Sequence, residues 1–181
     1  MLRAGIGERG ACQLLVERHL GRIVTFARRM LGNRNDAEDA AQDVFVRVWS
    51  AAPRWKKGQA RFTTWLYRVA TNVCLDRMAK KSETILDEPP ELSDPRPEPS
   101  LAVEASQVAQ HVNQALAALP DTQRLAVTLC HYQGLRNSEA AEVIGVSVEA
   151  LESLLARGRR TLRAQLQGVA PALLAGVPRH G

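Results

Sequence analysis

Apolar residues recur along this chain at the three- and four-residue spacing of α-helices, in stretches punctuated by glycine and proline. Leu14, Leu15, Ile23, Phe26, Ala27, Met30 and Leu31 form the first stripe. They predict a helix over 11–31 that ends at Gly32 and Asn33. Asn35 is placed to cap a second helix over 36–51, with Glu38 completing a capping box and Pro53 closing the segment. After a loop over 53–61, Phe62, Trp65, Leu66, Val69 and Val73 predict a third helix over 62–80. The pattern then fails. Residues 82–100 carry Pro89, Pro90, Pro95, Pro97 and Pro99 among acidic side chains, and cannot bury enough apolar surface to fold. Helical spacing resumes over 101–119, 121–133, 138–144 and 148–167, with Gly134 and Gly145 as breaks, before a tail over 168–181. The prediction is an all-α chain with two small helical domains, 1–81 and 101–167, joined by a flexible, acidic, proline-rich linker over 82–100.

Composition sharpens this picture. Aromatic residues are only 4% of the 181, against 45% hydrophobic overall, which favours helices over sandwiches and barrels. The net charge of +5 hides a division. Residues 1–82 hold 16 Lys and Arg against 7 Asp and Glu, whereas residues 83–110 hold 1 against 7. A basic block of this kind is the electrostatic footprint of a protein that meets a polyanion. Cys12, Cys74 and Cys130 are isolated, and no C-x-x-C occurs, so reduced thiols in a cytoplasm are expected rather than a disulfide frame or zinc ribbon. No signal-peptide core or membrane-length apolar run is present in the sequence.

The candidate chemistry is that of surfaces. Asp36, Asp39, Asp43 and Arg47 share one face of the second helix, flanked by Gln42 and Val46, while Ala37, Ala41, Val44 and Val48 share the face expected to be core. The following loop carries Arg54, Trp55, Lys56, Lys57 and Arg61, a mixture suited to gripping a single strand. On the third helix Arg61, Arg68, Asn72 and Asp76 line one face, with Arg77, Lys80 and Lys81 beyond, and such groups contact phosphates and base edges together. Downstream, a short helix, Gly145 and a long helix capped by Ser147 make a helix-turn-helix pattern. Its second helix carries Ser147, Glu149, Ser153, Arg157 and Arg160 as candidate DNA contacts, with Arg159 and Arg163 less directly placed. His19, His111, His131 and His180 are scattered. No phosphate loop, nucleophile motif or paired-carboxylate set is found, and no cofactor or metal site is expected.

The segments N-D-A-E-D-A-A-Q-D-V-F (35–45) and F-T-T-W-L-Y-R-V-A-T-N-V-C-L-D-R (62–77), followed by the downstream helix-turn-helix, resemble the extracytoplasmic-function (ECF) group of bacterial sigma factors. The resemblance implies a dissociable subunit that does no chemistry itself. It would bind core RNA polymerase through Asp36, Asp39, Gln42 and Asp43. It would capture a flipped base of the −10 element in the loop over 53–61, with Asn72 near the upstream edge of that element, and read the −35 duplex with the last long helix. It also implies an anti-sigma factor as regulator and a linker threading near the polymerase channels. One departure stands out: family members commonly carry Lys or Arg where this chain has Glu152, and often Arg where it has Leu154. Two other classes compete. A stand-alone helix-turn-helix regulator needs a dimer interface or effector pocket, and a nuclease needs clustered metal-binding carboxylates. The sequence offers neither.

Overall fold

The computed structural model describes residues 9–54, 61–87 and 103–167. Among these the regular structure is helical throughout. The N-terminal unit contains α1 (Arg9–Leu31), α2 (Arg34–Ala51), a 3-10 turn (Ala52–Arg54) and α3 (Phe62–Asp87). The second contains α4 (Val103–Ala117), α5 (Asp121–Val127), a π-helical turn (Thr128–Tyr132) that continues it, α6 (Asn137–Ile144) and α7 (Val148–Gln167).

Helix α1 turns into α2 at Gly32, whose φ of 84° suits a residue without a Cβ. The cap of α2 is Asn33, two residues earlier than the expected Asn35. Its side-chain oxygen accepts from the Asp36 N–H at 2.7 Å, and its amide also donates to the Asp36 carboxylate. The box therefore closes on Asp36, while Glu38 pairs with Arg34 one turn away. The left-handed Gly32 already reverses the chain, so the helix begins at once.

Ile23, Phe26, Ala27 and Met30 of α1 pack with Ala37, Ala41, Val44, Phe45 and Val48 of α2. Leu14 of the expected stripe instead stays exposed. From α3, Leu66 and Val73 are buried as expected, but so are Tyr67, Ala70 and Cys74, whereas Phe62, Trp65 and Val69 lie at the core's margin. Burial pushes the Cys74 thiol up to about 12, which leaves it protonated and unreactive. Helix α3 also runs on to Asp87, so 82–87, assigned to the linker from the sequence, are helical. Nothing between Lys81 and Asp87 breaks a helix; the first proline is Pro89.

In the second unit Leu116, Leu125, Leu129, Leu151 and Leu155 form the core. Gly158 lets α7 lie close on α5. A Cβ there would stand 3.0 Å from Val127 Cγ2, tighter than ordinary packing. Gly134 (φ 71°) and Gly145 (φ 81°) supply the turns on either side of α6. The two units, expected to be tethered, are also in contact: α1 lies against α4 and the π-helical turn, and α3 against α6.

Leu66 is 1% exposed, so Leu66→Ala should cost about 2–5 kcal/mol in urea unfolding. Gly158→Val, which adds bulk against Val127, should cost about 1–3 kcal/mol and move the second unit's transition first. An unchanged midpoint in either case would contradict the packing described.

Candidate nucleic-acid interface

The acidic row of α2 and the basic face of α3 are expected on separate tasks, yet they lie side by side. Arg77 Nη2 donates to Asp43 Oδ2 at 2.6 Å, Arg47 Nη2 to Asp76 Oδ2 at 3.4 Å, and Lys81 Nζ stands 3.9 Å from Asp36. The Arg77 guanidinium is raised above its usual range, first by its hydrogen bond to Asp43. Asp36, Asp43, Asp76, Arg77 and Lys80 thus line one groove between the helices. Asp39 and Gln42 point outward and are exposed, beside Val46, which is 61% exposed and apolar.

Of the basic and polar stripe on α3, Arg61, Arg68, Asn72 and Asp76 are all exposed on one face. Arg54 is exposed at the end of the 3-10 turn. Trp55, Lys56 and Lys57 lie outside the described residues. Two of the stripe's arginines are engaged by the second unit. Arg61 Nη1 donates to Glu139 Oε1 at 3.0 Å, and Arg68 Nη2 donates to the Glu142 carbonyl at 2.6 Å.

The helix-turn-helix is built as its sequence implies. The Gly145 and Val146 N–H groups both donate to the Ala141 carbonyl, closing α6. Ser147 Oγ then caps α7 by accepting from the Ala150 N–H at 3.2 Å. Glu149, Glu152, Ser153, Arg157 and Arg160 form one exposed stripe along α7. It is acidic at the end that opens toward the turn and basic farther on. The Glu149 carboxyl is held below its usual range by backbone and Ser147 hydrogen bonds. Glu152 Oε1 accepts from Asn137 Nδ2 at 3.3 Å, which turns this carboxylate toward the start of α6.

Residues 15–84 match the family description Sigma-70 region 2, and residues 110–162 match Sigma-70, region 4. The chain is 30% identical over 172 residues to the ECF RNA polymerase sigma factor SigW of Bacillus subtilis, covering 89% of this chain and 91% of that protein. The chain belongs to the ECF sigma factors. It is also 33% identical over 153 residues to the ECF sigma factor SigE of Mycolicibacterium smegmatis, covering 82% of this chain but only 59% of that longer protein. Its fold is similar to that of the sigma factor RpoE from Bartonella quintana, solved with the anti-sigma factor NepR. That likeness has a TM-score of 0.73 at 22% identity and covers 86% of this chain and 96% of that one.

A sigma factor binds core RNA polymerase and directs promoter-specific initiation, and the two matched regions fall on the two helical units described above. Several contacts of this sigma factor carry no sequence signal. Tyr67 Oη donates to Gln133 Oε1 at 2.7 Å across the two units. Arg124, 9% exposed, donates to the Met30 carbonyl at 2.9 Å, and Arg29 stacks on the Tyr132 ring at 3.9 Å. These pairs join residues far apart in the chain, and no local spacing announces them.

The Glu139 carboxyl is pulled down to about 2, first by the Arg136 side chain, then by the Arg136 amide and by Arg61. A carboxyl so depressed adds stability that is complete above its unfolded value of about 4.5 and is lost as pH falls through about 2. Glu139→Gln should therefore lower the melting temperature of the wild type at pH 7 yet flatten its decline between about pH 4.5 and 2. Parallel melting curves for the two proteins across that window would refute the assignment.

Proposed function

We propose a division of labour among these surfaces. The first unit binds core polymerase through the outward groups of α2, Asp39 and Gln42, with Val46 as an apolar anchor and Asp36 and Asp43 at the groove's rim. A carboxylate row with an apolar centre suits a basic helical partner. The loop before α3, with Arg54, Trp55, Lys56 and Lys57, captures the non-template strand of the −10 element. Arg61, Arg68 and Asn72 extend that track along α3, while Asp76, Arg77 and Lys80 flank it. Helix α7 enters the major groove at the −35 element. Ser147, Glu149 and Ser153 lie toward the bases, and Arg157 and Arg160 toward phosphates. The protein carries out no reaction of its own, acts in the cytoplasm, and is restrained by an anti-sigma factor. The complex of RpoE with NepR supports the last point. Among the described residues no helix is long and apolar enough to cross a membrane.

The observation that carries this reading is the coincidence of the two region matches with the two exposed stripes, one on α3 and one on α7. Reconstituted transcription with sigma-free core polymerase and a genomic promoter library tests it. The wild-type chain should start transcripts at promoters sharing two elements. Asp39→Arg, a reversal at an exposed position, should lower initiation at least tenfold at limiting sigma, without changing the melting temperature. Tight binding to duplex DNA with no initiation at all would instead make the chain a stand-alone regulator.

A further inference from the structure

Away from the α2–α3 groove and the two exposed stripes, a pocket of about 460 Å³ lies where α1 meets the end of the π-helical turn. Arg18, Arg22 and Arg29 enter it from one face of α1, at i, i+4 and i+11. Arg18 and Arg22 are exposed, and neither guanidinium is hydrogen-bonded or ion-paired among the described residues. Arg29 lies 3.9 Å from the centre of the Tyr132 ring, with its Nε buried and without a hydrogen-bond partner among the described residues. One carboxylate stands with them, that of Glu17, which accepts from Gln13 Nε2 at 2.7 Å. The lining therefore carries a net charge of +2. Its field reaches the neighbouring His19, which is held below its usual range first by burial and then by Arg22 and Arg18.

Gly21 is a second, independent sign of a ligand. It stands exposed in the middle of α1, where glycine is a poor helix former. Its φ is not positive, and a Cβ built there would meet nothing within 4 Å, so neither backbone nor packing requires it. What the missing side chain does is leave open floor between Arg18 and Arg22. On the other wall, Gln133 Oε1 is taken by the Tyr67 hydroxyl, so Gln133 has its NH₂ donor left to offer. Unpaired cations and amide donors select a phosphate-bearing anion. The volume lies in the range of small-molecule sites and exceeds what a bare phosphate needs. Tyr132 and Gln133 wall the pocket on the side of the second unit, whereas a nucleic-acid strand needs an open track. We propose that this pocket binds a nucleotide-sized di- or triphosphate, with its phosphates on Arg18 and Arg22 and its uncharged part against Tyr132 and Gln133.

Calorimetric titration of the full chain with ATP, pyrophosphate and adenosine tests this, in EDTA and about 0.15 M NaCl, where diffuse charge effects are screened. ATP should bind at one site per chain, pyrophosphate more weakly and adenosine not at all. Arg22→Gln should weaken ATP binding about tenfold, the value of one charge-assisted hydrogen bond. Arg28→Gln makes the same charge change on an exposed position of α1 outside the pocket, and should alter binding less than twofold. Gly21→Gln puts a side chain on the open floor. It should raise the melting temperature of the unliganded protein by about 2–4 °C, because glutamine is the better helix former, yet weaken ATP binding about tenfold or more. A structural role for Gly21 predicts the opposite change in melting temperature. The proposal is overturned if ATP does not bind, if Arg28→Gln costs as much as Arg22→Gln, or if Gly21→Gln binds as the wild type does. It is also overturned if a random-sequence single-stranded 20-mer, rather than ATP, depends on Arg18 and Arg22, since the cluster would then be a nucleic-acid contact.

Discussion

Helix α3 has to satisfy three neighbours at once. One side buries Leu66, Tyr67, Ala70, Val73 and Cys74 against α1 and α2. A second side sets Asp76, Arg77 and Lys81 against the acidic row of α2. A third meets α6 through Arg61 and Arg68. A helix divided in this way cannot show one clean apolar stripe, because its polar positions are also contact positions. Every surface given a role above is placed by α3 or by something that packs on it.

The charge ladder between α2 and α3 couples the two faces proposed above as separate interfaces. The ion pairs are solvent-exposed, so each contributes on the order of 0–1 kcal/mol. They fix the register of the two helices without holding their charges captive. A stronger partner on either side takes over a carboxylate or a guanidinium at small cost, and the opposite member is then left to water. Under the proposed assignment, polymerase contact on α2 and strand contact on α3 would therefore act on one shared set of charges.

Much of this was legible in the residues themselves. The helical periodicity, the glycine breaks at Gly32, Gly134 and Gly145, and the Ser147 cap each state a local rule that the fold obeys. Local rules also explain the misses. The cap moved to Asn33 because Gly32 reverses the chain before Asn35 is reached. Helix α3 outran its expected end because composition, rather than a breaker, had marked the boundary at Ser82. The burial of Tyr67 and Arg124 depends on residues 66 and 94 positions away, and no window of sequence contains both partners. Which polar residues share an exposed face of a single helix was readable from spacing. The groove between α2 and α3, and the covering of Arg61 and Arg68, arise from packing and were not.

Helix α3 ends at Asp87 and α4 begins at Val103, so residues 88–102 bind the two units into one molecule. A covalent connection of that length presents each unit to the other at an effective concentration on the order of millimolar. Contacts too feeble to bring separate molecules together are then well populated within one chain. Effective concentration falls roughly as the −3/2 power of tether length, so a fourfold longer tether would dilute the units about eightfold. The length of this acidic, proline-rich stretch is thus a dial on domain association that insertions and deletions can turn without altering a single contact residue.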